Sequence, residues 1–336
     1  MKFFAKTQWL LLPLLLLATF PVLAGPPQAV TECETLITEP GKYRLANDLL
    51  NCEFFGVNIH ASDVTLDLKR QTISCAENEN MTGGVLTALT EKPDVFFPVS
   101  GVKITNGTVT GCSDGILLAL AEDSMVTKIT SWGNRLWNGV SGTGITVWLS
   151  QHNVVTHNHV FANEDVGIFS WIAGGNLYKH NTATGNFMGI RTGYDDNAEI
   201  LCNQVHGNAL GIALGPASTD SLVRGNLVVD NFYEGISVVG VVMPPEVEGD
   251  DPVTLDMSEG NTIRSNLVEG NHNGVGDLFE GYWNFLGGDI PAYQLHADGC
   301  MNTWKKNQYG SAYAPDGCIG SSVVLEEDDI CALDED

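Results

Sequence analysis

The chain reads NVVTHNHVFANEDVGIFSW from Asn153 to Trp171 and NLYKHNTATGNFMGIRTGY from Asn176 to Tyr194. In both stretches asparagines recur five residues apart, and a Gly-Ile pair follows the third asparagine. From Gly144 onward the glycines of such pairs are spaced by 23, 22, 22, 24 and 39 residues, ending at Gly274-Val275. A fixed period of this length indicates a repeat fold. The long step indicates one repeat with an insertion at about 240–259.

Apolar side chains occupy fixed positions between these marks. In the first stretch they are Val155, Val160 and Ile168, and each later repeat has an equivalent. Three short segments with period-two alternation favour strands, because a sustained 3.6-residue helical period is absent. Stacked repeats of three short strands predict an all-β, single-stranded, right-handed parallel β-helix, which is a solenoid of triangular section.

The recurrent asparagines are expected at the corners of this coil. Equivalent corners of stacked rungs lie about 4.8 Å apart, so that side-chain amides can form ladders. We therefore interpret these asparagines as structural. They are Asn153, Asn158, Asn163, Asn176, Asn181, Asn186, Asn197, Asn203, Asn208, Asn226, Asn231, Asn261, Asn266, Asn271, Asn302 and Asn307.

The two ends of the chain differ from the repeats. Residues 1–24 combine Lys2 and Lys6 with the apolar run Leu10–Thr19 and small residues before Gly25, a pattern typical of a secretion signal. No later stretch approaches the roughly 20 apolar residues of a membrane span, so we expect no membrane insertion after signal removal. The β-helix is expected over 25–325, with caps at about 31–52 and 282–325 and an acidic tail at 326–336.

Eight cysteines follow the signal, and an even number in a secreted chain predicts disulfides that close the end caps. Pairs that close loops within one or two turns of the stack are favoured. The predicted pairs are Cys33–Cys52, Cys75–Cys112 and Cys300–Cys318, and the partners of Cys202 and Cys331 stay open.

Charge excludes one class of partner. Without the signal, fourteen basic residues stand against 41 acidic ones, a formal net charge of −27. Nucleic-acid binding needs clustered Lys and Arg, so nucleic acid is not an expected partner. Polyanionic glycans should also be repelled unless cations or a local basic group intervene.

In these features the chain resembles the right-handed parallel β-helix repeat proteins, the superfamily of pectate lyases, polygalacturonases and NosD-like proteins. The resemblance covers about residues 31–320. It depends on the asparagine and Gly-Ile pattern and on an opening motif, Cys33-x3-Ile37-x2-Pro40-Gly41-x-Tyr43-x-Leu45-x2-Asp48-Leu49-x2-Cys52. It implies a secreted or periplasmic protein with a long outer face on which carbohydrate often binds.

The catalytic motifs of the best-known members are missing. Asp195-Asp196 is present, but the Gly-His-Gly of polygalacturonases is not, and Asn181-Thr182 continues with Ala183. The Asp-Pro-His-Asp of alginate epimerases and the Arg-x-Pro-x2-Arg of pectate lyases are also absent. The resemblance therefore supports the fold and assigns none of these activities.

Residues two and four after each Gly should face outward and form two columns. They place Trp148, Phe169, Trp171 and Arg191 on adjacent rungs, with Tyr194, Asp195 and Asp196 just beyond. Aromatic rings suit the C–H faces of sugars, and an arginine suits a uronate carboxylate. Tyr194, Asp195 and Asp196 are candidates for proton transfer, and the aspartates for calcium, the one cofactor that this set suggests.

The same residues have a second interpretation, in which the loop 134–142 folds over them and makes a satellite core. A column of His157, His180 and Cys202 could ligate a metal, but corner packing explains it better, and no metal site is predicted. Lys179, Arg224 and Arg264 form a minor basic strip that we expect to pair with surface carboxylates.

Two functions remain open at this stage. The first is a polysaccharide lyase or epimerase centred on Arg191, and a hydrolase is disfavoured because no pair of carboxylates at a defined separation can be identified. The second is a non-catalytic glycan-binding or structural surface protein.

Overall fold

A computed structural model describes residues 25–77, 80–87, 98–243, 253–255, 257–271, 276–284, 292–294, 300–315 and 317–331. This part of the chain forms 36 strands and one short 3-10 helix, Glu327–Asp329. The first eighteen strands are β1 Gln28–Val30, β2 Thr35–Ile37, β3 Gly41–Leu45, β4 Leu49–Cys52, β5 Phe55–Ile59, β6 Val64–Asp67, β7 Thr72–Cys75, β8 Gly83–Thr87, β9 Val99–Ser100, β10 Lys103–Thr110, β11 Asp114–Ala119, β12 Ala121–Glu122, β13 Met125–Trp132, β14 Leu136–Trp137, β15 Val140–Ser141, β16 Thr143–Trp148, β17 Val154–Thr156 and β18 His159–Phe161. The others are β19 Val166–Gly174, β20 Leu177–Lys179, β21 Thr182–Thr184, β22 Met188–Asp196, β23 Glu199–Leu201, β24 Gln204–His206, β25 Leu210–Leu214, β26 Leu222–Arg224, β27 Leu227–Val229, β28 Ile236–Met243, β29 Val253–Leu255, β30 Thr262–Arg264, β31 Leu267–Glu269, β32 Leu278–Asn284, β33 Ala292–Gln294, β34 Thr303–Lys305, β35 Gln308–Tyr309 and β36 Ala312–Tyr313.

Each repeat contributes three strands to the stack. The strands β17, β18 and β19 pair in parallel with β20, β21 and β22 of the next repeat, and the register joins equivalent residues, such as Ile168 and Ile190. The chain is therefore a right-handed parallel β-helix with three strands per rung, as predicted. The strands equivalent to β19 form one long parallel sheet, here called the wall.

The core fills the inside of the coil. Val155, Val160 and Ile168 are 0% exposed, and they belong to one cluster of buried side chains that extends from Val30 to Trp304. Full burial of each such side chain stabilises the fold by about 2 kcal/mol.

One predicted register is wrong. Leu278, rather than Val275, pairs with Ile236 after the insertion.

The asparagine ladders are present at the corners. The side-chain amide of Asn181 donates to the Val155 carbonyl oxygen at 2.8 Å and to Asn203 Oδ1 at 3.1 Å, and Asn181 Oδ1 accepts the Asn158 backbone N–H at 3.0 Å. Each ladder residue thus satisfies buried backbone groups of neighbouring rungs. Most of the predicted asparagines occupy such positions, which confirms their structural role.

Asn197 is the exception among them. It is exposed, and Ala198 takes the ladder position instead. The hydroxyl of Ser221 in the next rung accepts the Ala198 N–H at 3.0 Å. The five-residue spacing itself holds at this corner, because Ala198 lies five residues before Asn203, and Asn197 lies one residue ahead of the ladder position.

Four disulfides close the described chain. The three predicted pairs, Cys33–Cys52, Cys75–Cys112 and Cys300–Cys318, are confirmed. The two remaining cysteines form Cys202–Cys331, across a sequence separation of 129 residues.

The fourth disulfide anchors a C-terminal strap, residues 323–331. The N–H of Val323 donates to the Asn307 carbonyl oxygen at 3.1 Å, and that of Leu325 donates to Gln308 Oε1 at 3.0 Å. From this last rung the strap runs back along the stack to Cys202. It passes Gly225, where an added Cβ would lie 2.6 Å from Cys331 Sγ.

The paired strands of the stack continue into the residues that the sequence assigns to the caps. Strand β1 already pairs with β3, and β34, β35 and β36 add a further rung beneath β30, β31 and β32. In the insertion, β28 and β29 form an antiparallel hairpin. Residues 1–24, where a signal is expected, insertion residues 244–252 and tail residues 332–336 lie outside the described residues. Within the described residues, no helix has the length and hydrophobicity of a membrane span.

Candidate functional site

The wall carries the two outward columns that the sequence predicts. Cross-strand pairing aligns the first as Leu117, Thr146, Phe169, Arg191, Ala213 and Ser237, and the second as Ala119, Trp148, Trp171 and Gly193. Trp148, Phe169, Trp171 and Arg191 are all partly exposed. The structure therefore brings the predicted aromatic and arginine side chains together on one surface.

Arg191 lies against two aromatic rings. Its Cζ is 5.5 Å from the Phe169 ring centroid and 5.7 Å from that of Trp171. Its Nε is buried without a hydrogen-bond partner within the described part of the chain. Burial lowers the pKa of Arg191 and the nearby Asp165 carboxylate opposes this shift, so the guanidinium stays charged at neutral pH. A cation held on ring faces in this way can bind a ligand anion.

The Trp171 side chain depends on a glycine in the next rung. A Cβ added to Gly193 would lie 2.3 Å from Trp171 Cζ3, so the indole occupies the space above that backbone. The edge of Tyr194 meets Trp171, with ring centroids 5.0 Å apart and planes at 78°. Tyr194 is thereby joined to the aromatic–arginine cluster.

A groove runs along the stack beside the second column. Four residues directly after that column, Leu120, Leu149, Ile172 and Tyr194, have φ between 48° and 52°. This left-handed conformation bends each wall strand at the same level. The bends enclose a groove of about 940 Å³ that crosses five rungs from Pro98 to Asn197.

The far side of the groove is polar. Gln151 Nε2 donates to Glu122 Oε1 at 3.1 Å, and His152 Nδ1 lies 3.6 Å from the same oxygen. Asp196 is exposed, lines the groove and accepts a hydrogen bond from the Thr219 hydroxyl. Tyr194 and Asp196, both predicted site residues, thus border this groove.

Asp195 lies inside the coil instead. It is 0% exposed, and its Oδ2 accepts the Ser170 hydroxyl at 2.5 Å. Burial raises its pKa to about 7. The left-handed conformation of Tyr194 reverses the alternation of the strand, which turns Asp195 inward and Asp196 outward. The Asp pair therefore offers no shared calcium site, and the described residues contain no group of three or more His, Cys, Asp or Glu side chains suited to a metal.

Two carboxylates were not predicted, Asp165 near Arg191 and Asp114 near Asp165. Burial raises the pKa of Asp165, against the opposing charge of Arg191. Asp114 accepts the Thr146 hydroxyl at 2.6 Å, and burial raises its pKa too. Both stand one or two residues before the Gly of a Gly-Ile pair, at Asp114-Gly115 and Asp165-Val166-Gly167. Alternation read backward from Gly167 places Asp165 on the same side as Phe169, whereas Asp114, one residue before its glycine, has the opposite parity and gives no such signal.

The loop 134–142 does not bury the aromatic cluster, because Trp148, Phe169, Trp171 and Arg191 all stay partly exposed. Its strands β14 and β15 form a small hairpin, and the Leu136 N–H donates to Glu164 Oε2 at 2.8 Å. Each aromatic ring has one packed side. Trp148 packs against the buried cluster of Leu117 and Ala119, and Phe169 against that of Met188 and Ala213. The cluster therefore combines a packed base with exposed edges.

Two other candidates contribute no metal or ion-pair site. His157 and His180 stack at 5.1 Å on an exposed corner, while Cys202 below them is in a disulfide. The stacked rings agree with the corner packing expected for this column, and all three residues have positive φ angles. Arg224 and Arg264 are exposed, and neither is in a salt bridge with a described carboxylate.

Comparison with protein families yields one match. The family model described as "Right handed beta helix region" matches residues 47–205 and also 95–251, which together make 205 of the 336 residues. No curated protein sequence matches the chain.

Solved structures share the fold at low identity. A double mutant of the periplasmic alginate epimerase AlgG has 13% identity over 86% of this chain and 75% of its own, with a TM-score of 0.56. AlgG itself has 14% identity over 87% and 74%, with a TM-score of 0.53. A mutant tailspike protein of E. coli bacteriophage HK620 has 11% identity over 88% and 57%, with a TM-score of 0.54. Similarity at this level concerns the fold alone.

Proposed function

We propose, since this chain belongs to the right-handed β-helix family, that it binds an extended acidic polysaccharide along its wall and the adjoining groove. The observation that carries the proposal is the position of Arg191 against Phe169 and Trp171, at 5.5 and 5.7 Å. A uronate presents a carboxylate and an apolar C–H face close together. A guanidinium beside aromatic rings matches both.

The groove supplies the length that a polymer needs. Its five rungs span four spacings of about 4.8 Å, or roughly 19 Å. It lies parallel to the stack, so a chain of several sugars can follow it past Tyr194 and Asp196. Trp148 and Trp171, on neighbouring rungs, offer rings to successive sugars.

Net charge makes this binding dependent on salt. The chain has a formal charge of −25 and should repel a polyuronate at a distance. Moderate salt or calcium screens that repulsion, while the short contact with Arg191 is screened less. We propose that calcium acts through the polymer, as a counterion to its carboxylates.

A secreted or periplasmic location fits this proposal. Four disulfides form and persist in oxidising compartments. AlgG, which shares the fold, is a periplasmic alginate epimerase, and alginate is a polyuronate.

A second candidate function is proton abstraction next to the bound carboxylate. Arg191 would neutralise the carboxylate, and Tyr194 or Asp196 would take the proton from the adjacent carbon. In a lyase the electron pair then expels the neighbouring glycosidic oxygen and a C=C bond forms. In an epimerase a proton returns to the opposite face of the same carbon. The raised pKa of Asp165 beside Arg191 favours this candidate, because such shifts cluster at catalytic sites.

Binding is tested by affinity electrophoresis of the mature protein in gels that contain alginate or polygalacturonate. We expect Arg191→Ala to weaken retardation at least tenfold, since the charge-assisted contact is lost. Arg224→Ala is the matched control, because it removes an equal charge from an exposed position on another face. Equal retardation of the wild type and Arg191→Ala, or equal losses in both variants, would contradict the proposal.

Catalysis is tested separately on the same polymers. Ultraviolet absorbance reports new C=C bonds, and proton NMR in D2O reports exchange and inversion at the carbon next to the carboxylate. Activity that Tyr194→Phe or Asp196→Asn abolishes would support the second candidate. Binding without new C=C bonds and without proton exchange would indicate a glycan-binding protein that is not an enzyme for these polymers.

A further inference from the structure

The second strand of each rung forms a separate outer surface without formal charge. It comprises the outward positions of β7, β18, β21, β24 and β27 and of the second halves of β10 and β13, and is here called the threonine–aromatic face. Strand pairing aligns these positions over seven rungs, from Thr72 to Val229. None of the fourteen is Asp, Glu, Lys or Arg, although the chain contains 57 such residues.

Three exposed or partly exposed rings stand in the middle of this face. Trp132 and Phe161 stack on adjacent rungs with centroids 5.7 Å apart and planes at 2°, and His159 lies 4.7 Å from Phe161. Trp132 is 40% exposed. Aromatic area of this size is costly to leave in water unless a ligand covers it.

Hydroxyl groups surround the rings. Threonine occupies both outward positions of β21 and of the second half of β10, and one position of β13. These side chains are partly exposed and can donate or accept hydrogen bonds. His159 adds a neutral ring, because burial and the neighbouring His206 lower its pKa below 6.5.

We propose that the threonine–aromatic face binds a neutral polysaccharide, in a site separate from the wall. Aromatic rings pack on the C–H faces of sugars, and hydroxyls bond to sugar hydroxyls. The lack of charge on this face favours neutral over acidic polysaccharides. The face has no cation that could attract an acidic polymer against the negative net charge of the chain, whereas the wall has Arg191. The inference does not depend on the function proposed for the wall.

The test is calorimetric titration of the mature protein with neutral oligosaccharides from xylan, mannan, β-glucan and galactan. We expect one of them to bind and the Trp132→Ala/Phe161→Ala double variant to lose at least tenfold in affinity. Thr182→Glu, which places a carboxylate on the face, should weaken the same ligand. Trp171→Ala on the wall is the matched control and should leave it unchanged.

Several results would overturn the proposal. One is the absence of binding by any neutral oligosaccharide to folded wild type. Another is an equal loss in Trp171→Ala, which would assign the neutral ligand to the wall. A third is a wild-type dimer that Trp132→Ala/Phe161→Ala dissociates in light scattering, which would assign the face to a second copy of the chain. If acidic polymers fail to bind at Arg191, that result contradicts only the function proposed for the wall.

Discussion

Among single residues, Asp195 and Asp196 show where sequence alternation stops being a guide. Counting in twos from Gly189 places Arg191 on the outer surface, and the structure agrees. The count fails at Tyr194, because a residue in the left-handed region reverses the side that its successors face. No property of Tyr194 in the sequence signals that conformation. The aromatic and arginine half of the site could therefore be predicted, and the sides that Asp195 and Asp196 face could not.

The buried Asp195 makes stability depend on pH. Its pKa of about 7 in the folded protein exceeds the ordinary 3.8, so folding takes up a proton between these values. The stabilisation is complete below pH 4 and is lost as the pH rises through 7. Three units at about 1.4 kcal/mol each give a loss of up to about 4 kcal/mol.

We expect Asp195→Asn to remove this dependence, because asparagine keeps an acceptor for the Ser170 hydroxyl but does not ionise. Urea unfolding at pH 4.5, 6 and 8 measures it. The free energy of unfolding of the variant relative to wild type should rise with pH. Asp196→Asn, at the exposed neighbour, should show no such trend. Parallel profiles of Asp195→Asn and wild type would refute the assignment.

At the level of elements, the corner ladders determine how rungs register. The repeat spacing predicted them correctly, because each asparagine satisfies buried backbone groups that any rung of this shape exposes. Two positions were predicted wrongly. At Ala198 the five-residue spacing holds, but a search for asparagines selects its neighbour Asn197. After the insertion, seven residues separate Asn271 from Leu278 where five separate Asn231 from Ile236, and a fixed spacing cannot report such a change.

Asn181→Ala tests the energetic role of a ladder. It leaves the Val155 carbonyl oxygen and the Asn158 N–H without their side-chain partners. At about 1–3 kcal/mol per unsatisfied buried group, the free energy of unfolding should fall by about 3 kcal/mol. Chemical denaturation measures the change.

Asn197→Gly is the control for this substitution. It removes an exposed asparagine with a φ of 57°, which glycine adopts without strain. Its effect should stay below about 1 kcal/mol. Similar losses in both variants would mean that the ladders contribute no more than any corner asparagine.

For the whole molecule, the strap of residues 323–331 connects the last rung to the middle of the stack. Local spacing predicted three disulfides, because their cysteines lie within one or two turns. It left Cys202 and Cys331 unassigned, since 129 residues separate them and the return path of the strap has no repeat pattern. The periodic residues predict the fold class, the three strands of each rung and the outward columns. They do not predict contacts between residues that lie several rungs apart.

Loss of the strap disulfide should destabilise the stack strongly. For a loop of 129 residues, chain entropy gives a contribution of about 4–5 kcal/mol. Cys202→Ser/Cys331→Ser should therefore lower the free energy of unfolding more than Cys300→Ser/Cys318→Ser, whose loop of 18 residues gives about 3 kcal/mol. Denaturant unfolding of the two double variants compares them, and the reverse order would contradict a role of the strap in holding the rungs.

Hydroxyl-radical footprinting tests the central proposal, that acidic polysaccharide binds on the wall, most directly. Oxidation of each aromatic side chain is read by mass spectrometry with and without alginate oligosaccharides, and a dosimeter corrects for scavenging by the sugar. Trp148, Trp171 and Tyr194 should become protected while Trp132 and Phe161 keep their reactivity. Unchanged oxidation of Trp148 and Trp171 at saturating ligand, or protection confined to Trp132 and Phe161, would contradict the account.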